Sequence, residues 1–270
     1  MALRRLDMTI LTPPSLPPEL PLNRRTRAVV IGASSGIGAA IARRLAREGL
    51  IVAVLARRRD LLEELCRQIN AEVGDQVAFA YQHDVTDTDS TPALFQQLLK
   101  DLGGVDLIAY VAGVMPKVAL DEFDWQKDSQ ILDANLRGGV AWLGLAAALF
   151  QAMGAGTIVG ISSVAGDRGR VANPAYNSSK AGLDAYLEAL RNRLTRHGVH
   201  VLTVKPGFVD TEMLKAARAS FGKISPERAA LGVWKAVQHG DQLVYLPWWW
   251  RWVMLAIRFT PSFIFRRLSF

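Results

Sequence analysis

The sequence predicts a single α/β domain built on a doubly wound, mainly parallel sheet. Two patterns carry that expectation. From Ala28 onward, short uninterrupted apolar runs alternate with longer amphipathic ones. Strands apolar along their whole length are buried on both faces, as in a parallel sheet between two helical layers. The first apolar run also turns through a glycine-rich loop into a helix. With 270 residues, 50% of them hydrophobic, the chain is long enough for one large core.

The elements follow in order. "AVVIGA" is the first strand, and "GIGAAIARRLAREG" its helix, rich in alanine and closed by a glycine. "LIVAVLA" is the second strand, "DLLEELCRQINAEVG" the next helix and "QVAFAYQ" the third strand. The alternation continues through "VDLIAYVAG", a helical stretch from about Trp125 to Met153, "GTIVGISS", a helix after Asn173, "VHVLTVKPG", a helix after Ser225, and "QLVYLP". No internal repeat or second domain interrupts the series. Residues 1–25 hold five prolines and read as an extended arm, because proline cannot sustain a helix. Arg4 and Arg5 precede no apolar stretch suited to a secretion signal. The expected organisation is an arm over 1–25, the α/β domain over 26–246 and a separate tail over 247–270.

The formal charge is +7, and nucleic acid is the first partner to weigh for a basic chain. Here the basic residues fall in short separate runs such as "NRRTR", "ARRRD" and "RNRLTRHG", outside any nucleic-acid-binding motif. An anionic cofactor and an anionic membrane surface fit better. One cysteine, Cys66, sits at helical spacing among leucines and isoleucine and reads as a packed thiol. One cysteine and four scattered histidines supply no metal-ligand set, so no metal is expected.

The loop "GASSGIG" places Gly32, Gly36 and Gly38 at the strand-to-helix turn. Glycine permits the tight turn and the close approach of a pyrophosphate, while the helix N-terminus offers unpaired N–H groups to the anion. The end of the second strand selects the dinucleotide. It reads "VLARRRD", with Arg57 and Arg58 where an acidic residue would otherwise bind ribose hydroxyls. Guanidinium forks suit a 2′-phosphate, so NADP(H) is the expected cofactor.

In "NPAYNSSKAGL", Tyr176 and Lys180 stand one helical turn apart on a common face. An ammonium near a phenol favours phenolate, so the tyrosine pKa is expected to fall below its ordinary value near 10. Ser163, just after a strand, is placed to bond the same substrate oxygen.

In this order, "GASSGIG", "HDV", "DANLRGG", "ISSVAG", "YNSSK" and "KPGFVDT" resemble the blocks of the short-chain dehydrogenase/reductase family, over roughly Arg27 to Tyr245. The resemblance implies a Rossmann-type sheet and hydride transfer between NADP(H) and a carbonyl or alcohol. It implies that Asn135 helps hold a proton-relay water and that Ser163 polarises the substrate carbonyl. Tyr176 would be the acid or base, and Lys180 would bind the nicotinamide ribose and tune Tyr176. The implied cofactor contacts are Gly32, Ser34, Ser35, Gly36, Ile37 and Gly38 in the loop, and Arg57 and Arg58 after the second strand. Asp84 and Val85, Ala112 and Gly113, Tyr176 and Lys180, and Pro206, Gly207, Val209 and Thr211 complete the set. A homodimer or homotetramer through the helices containing Trp142 and Tyr186 is also implied.

The chain departs from the family pattern at three places. Ile31 replaces the usual threonine before the glycine loop, "YVAG" (Tyr110 to Gly113) replaces Asn-Asn-Ala-Gly, and Gly160 stands where asparagine is frequent. The first two exchange polar for apolar or bulky groups and are expected to be one coordinated replacement, since a single buried polar partner left behind is costly.

Between Thr211 and the last helix, "EMLKAARASFGKISPERAA" is a short cover, which suggests an open pocket. The tail "YLPWWWRWVMLAIRFTPSFIFRRLSF" reads as a helix over Trp249–Phe259, broken at Thr260-Pro261, then a second short helix. Arg251 and Arg258 lie a heptad apart on one side of it. Neither helix is long enough to span a bilayer, whereas tryptophan and arginine beside aliphatic residues suit its interface. The alternative is packing on the protein's own surface or across a subunit interface. The expected function is a cytoplasmic NADPH-dependent reductase of a lipophilic ketone, with its tail on the inner face of a membrane. The alternatives are a reductase of small polar carbonyls with a dimerising tail, and a non-catalytic, membrane-attached NADP-binding sensor or scaffold.

Overall fold

The computed structural model describes residues 26–215 and 222–268. The proline-rich stretch 1–25 and the middle of the cover, 216–221, lie outside them. Seven strands form one sheet, β1 (Arg27–Ile31), β2 (Ile51–Ala56), β3 (Ala78–Gln82), β4 (Leu107–Tyr110), β5 (Gly156–Ile161), β6 (Val199–Pro206) and β7 (Leu243–Leu246). All neighbours are parallel and the order is β3-β2-β1-β4-β5-β6-β7. The winding reverses between β1 and β4, which opens a crevice at the carboxyl ends of the strands.

Side-chain alternation builds the two cores. Ala28 and Val30 of β1 face one layer, with α1 (Gly36–Arg47), α2 (Arg59–Val73) and, at the far end of the chain, the helix Pro226–His239. Val29 and Ile31 face the other layer, formed by α3 (Thr91–Leu102), the long helix Trp125–Met153 and the helix Pro174–Leu194. Cys66 packs in the first layer, and burial pushes its thiol up to about 11, which keeps it protonated and unreactive.

The long helix is composite. α4 (Trp125–Leu132) starts at Asp124, whose carboxylate accepts from the N–H groups of Gln126 and Lys127. A five-residue π-turn, Asp133–Arg137, then leads into α5 (Gly138–Met153). By length and composition Trp125–Met153 could cross a bilayer, but Trp142, Leu143, Ala146 and Phe150 are fully buried against the sheet. The helix is therefore part of the core. Trp142 packs edge-on to His83 and Phe95, so α5 offers no tryptophan to a subunit interface.

The departures at Ile31 and Tyr110 meet each other. The two residues are paired in register between β1 and β4, and neither is exposed. The Tyr110 hydroxyl donates to the Ala134 carbonyl at 2.5 Å, so the bulky replacement brings its own hydrogen-bond partner. Gly160 has a packing reason, because a Cβ there would sit 2.2 Å from Leu187 of α6 (Pro174–Leu194).

After β6, a short α7 (Glu212–Lys215) and then α8 (Pro226–His239) lead to β7. The tail follows as α9 (Trp250–Phe259) and α10 (Ser262–Phe265). One face of α9 docks on the domain: Trp250 and Met254 are buried with Val164, beside Phe208, Tyr245 and Ile257. Arg168 caps its C-terminal end, donating to the carbonyls of Ile257, Arg258 and Thr260, with its guanidinium 3.9 Å from the Phe265 ring centroid. The opposite face leaves Trp252, Leu255 and Phe259 exposed, as are Trp248 before the helix and Phe263 and Ile264 of α10.

Candidate active site

The glycine loop crosses the carboxyl end of β1. Gly32 has φ of +91°, and a Cβ there would fall 2.4 Å from the Ala112 backbone nitrogen, so only glycine lets the two loops meet. The same closeness sets Ala112 and Gly113 beside the loop. α1 begins at Gly36 with no side-chain cap from Ser35 and no acidic residue in its first turn. Its N-terminal amides are thus available to an anion. Thr211 closes the other side, with its methyl 3.0 Å from where a Gly36 Cβ would be.

The two arginines behave differently. Arg58 reaches back over the loop, donating to the hydroxyls of Ser34 at 2.8 Å and Ser35 at 3.1 Å. Arg57 is exposed and lies 3.9 Å from Asp84. Asp84 itself forms a local turn, accepting from the Thr86 N–H and hydroxyl. Val85, next to it, is buried beneath Gly138. The cradle and its cations fit a phosphorylated dinucleotide.

Four side chains converge at the ends of β4 and β5. Ser163 follows β5 in extended conformation, and its hydroxyl accepts from the Ala165 N–H at 3.0 Å. Ser163 is also near enough to Tyr176 to favour its charged form. Asn173 starts α6 by accepting from the Tyr176 N–H, and Pro174 fills the first helical turn. One turn later, the Lys180 ammonium donates to the Ile161 carbonyl at 2.9 Å and lies 5.8 Å from the Tyr176 ring centroid. Asn135 is fully buried; its Oδ1 accepts from Val114 N–H at 2.7 Å, and its Nδ2 donates to Val114 O and Ser179 Oγ, each at 3.1 Å.

The electrostatics correct one expectation. Desolvation dominates at Tyr176 and pushes its pKa up; Ser163 and the nearby Arg170 only oppose this, and Lys180 does not reverse it. Burial acts on Lys180 in the other sense, bringing its ammonium down to about 8 against a supporting pull from Asp184. In the free enzyme Tyr176 is therefore held as the neutral phenol.

Pro206 ends β6, Gly207 follows it, and Val209 makes a parallel bridge to Ile224. Gly207 is covered by Trp250, whose indole nitrogen would lie 1.9 Å from a Cβ at that position. Ile37 packs into the α1 layer beside the loop.

Sequence reasoning missed several neighbours. Lys205 lies 2.5 Å from Asp167 and 2.9 Å from Asp184, and Tyr245 donates to Asp167 at 3.0 Å. Asp184 is one turn beyond Lys180, so the helical spacing that linked Tyr176 to Lys180 could have found it. Arg170 and Arg168 carry no such signal, because an irregular turn brings them in.

Fold and site together define a dinucleotide-dependent dehydrogenase. Residues 26–221 match the family model described as short chain dehydrogenase, and the chain belongs to that family. An uncharacterized oxidoreductase of Mycobacterium tuberculosis is 32% identical over 240 residues, covering 89% of this chain and 96% of that protein. A ketoacyl reductase of a Nostoc species is 32% identical, covering 78% and 75%. Among solved structures, a variant of actinorhodin polyketide ketoreductase with NADPH is similar, with TM-score 0.73 and 28% identity, over 82% of this chain and 95% of that one.

Proposed function

We propose that this protein is an NADPH-dependent reductase of a lipophilic ketone. The observation that carries the proposal is the convergence of Ser163, Tyr176 and Lys180 beside a glycine cradle over which Arg58 is already fixed. Bound NADPH supplies a hydride. The Ser163 hydroxyl holds the carbonyl oxygen, and the neutral Tyr176 phenol delivers the proton that completes the alcohol. Lys180 binds the ribose of the cofactor and stabilises the phenolate left after transfer, while Asn135 orders the path by which Tyr176 regains its proton. Arg57 and Arg58 take the 2′-phosphate. Asp84 and Val85 border the adenine, and Pro206, Gly207, Val209 and Thr211 the nicotinamide end.

The lipophilic preference rests on the carboxyl edge of the sheet. The loop after β4 exposes Leu120 and Phe123 and the start of α4 exposes Trp125, while the tail after β7 exposes Trp248, Trp252 and Phe259. Large aromatic groups with flanking Arg251, Arg258 and Arg266 suit an anionic membrane interface on the cytoplasmic side. Two similar proteins, a ketoacyl reductase and a polyketide ketoreductase, favour the same reading. The same exposed face of α9 would suit a second copy of the chain in a dimer or tetramer, which is the reading that goes with small polar carbonyls.

The test is NADPH oxidation by the full-length protein with methyl ketones of increasing chain length, with and without anionic vesicles. Turnover rising with chain length and with vesicles is expected. Equal or better turnover of short polar ketones, together with a dimer that loses its contact on substitution of Trp252, would favour the alternative.

A further inference from the structure

We infer that Tyr110 is a positioning residue for Asn135, holding the π-turn that carries this side chain into the site. The inference rests on the proposed role of Asn135 and concerns a position where this chain departs from its family's pattern.

The π-turn Asp133–Arg137 is the feature that needs holding. The N–H of Gly138 donates to the carbonyl of Asp133, five residues back, where an α-helix would use four. Such insertions disturb the helical ladder and recur at functional sites. On the side facing the sheet, the Ala134 carbonyl receives the Tyr110 hydroxyl at 2.5 Å. Desolvation raises the pKa of this phenol, so it remains a donor. The ring fits because two glycines follow the turn. A Cβ on Gly138 would lie 2.7 Å from the Tyr110 oxygen, and one on Gly139 would lie 3.2 Å from the ring edge. Tyr110, Gly138 and Gly139 are thus one device of matched shape.

The link to Asn135 closes from the other end. Asn135 bonds both backbone groups of Val114, four residues beyond Tyr110 in the segment leaving β4. The π-turn is therefore tied to that segment twice, by Tyr110 to Ala134 and by Asn135 to Val114. Beyond this clamp the Asn135 Oδ1 lies 3.1 Å, and the Lys180 ammonium 3.5 Å, from the place a Gly113 Cβ would occupy. Releasing the first tie lets the amide drift relative to Lys180. A phenylalanine at Tyr110 would fill the same core and leave the turn untied.

The test uses full-length protein with Tyr110→Phe, Asn135→Ala and the double variant. Amide hydrogen exchange reads the tie directly: Val114 N–H should exchange about tenfold faster in Tyr110→Phe, while Ile108 within β4 stays unchanged. A merely structural role would accelerate both amides alike, and unchanged protection of Val114 would overturn the inference. NADPH-dependent reduction of 2-decanone gives the second readout. Tyr110→Phe should lower kcat about fivefold or more with unchanged NADPH affinity, and by less than about twofold when Asn135→Ala is already present. Equal losses in both backgrounds would contradict it. Full activity of Asn135→Ala would remove the role of Asn135 itself, whereas a slow Asn135→Ala beside a normal Tyr110→Phe would sink only the present inference. If Tyr110→Phe folds poorly, Gly139→Ala, which presses on the same ring, should reproduce the Val114 effect.

Discussion

Arg168 donates from Nη1 to the Thr260 carbonyl at 2.5 Å and also bonds the Ile257 carbonyl. One side chain therefore joins the turn that begins at Ser163 to the end of α9. Arg168→Ala should cost about 1.5–3 kcal/mol, the range for hydrogen bonds made by a charged group. Denaturant unfolding measures that loss, and hydrogen exchange should rise first at 250–265. Arg168→Lys should fall between, because an ammonium keeps the charge without the planar fork.

Lys205 is nearly buried between Asp167 and Asp184, whose side chains are 1% and 16% exposed. Although desolvation alone would lower its pKa, the two carboxylates hold it above the ordinary lysine value. Lys205→Met leaves two like charges in the interior without their shared cation. A loss of about 3–5 kcal/mol in urea unfolding is expected, as for other broken buried ion pairs.

Lys180 loses its proton near pH 8 in the free enzyme because burial disfavours the charged form. A lysine with a lowered pKa is cationic below that value and neutral above it. Since the ammonium is proposed to bind the cofactor ribose, kcat/KM for NADPH should fall as pH rises through about 8, a parameter that reports the free enzyme. Lys180→Arg should move this limb to higher pH, even if its overall rate is low.

Arg58 is fixed over the glycine loop, whereas Arg57 shares its charge with Asp84. Arg58→Ala should weaken NADPH binding by about tenfold or more, equivalent to about 1.4 kcal/mol per decade. Arg57→Ala should have the smaller effect, and NADH binding should change little in either variant. Calorimetric titration of both nucleotides distinguishes this from general damage to the loop.

The strands were legible because parallel strands covered on both faces are apolar without interruption, as in "AVVI" and "VAVL". Ser163, Tyr176 and Lys180 were legible because a strand end and one helical turn fix their relations. The π-turn at Asn135 was not, since one inserted residue leaves the apolar pattern of Trp125–Met153 almost intact. The upward shift at Tyr176 was missed for a different reason. Spacing gives the distance to Lys180 but not the burial that outweighs it. Composition likewise identified the unusual tail without dividing its faces, because Trp250 and Trp252 differ only in which side meets Val164 and Phe208.

The most direct measurement is turnover by Tyr176→Phe, with NADPH binding followed on the same sample. The phenol oxygen is the only atom removed, and it is the proposed proton donor. A loss of about 10²-fold or more in ketone reduction, at the scale of general acid catalysis, with NADPH affinity within about twofold of the native protein is predicted. Ketone reduction at the native rate would contradict the account.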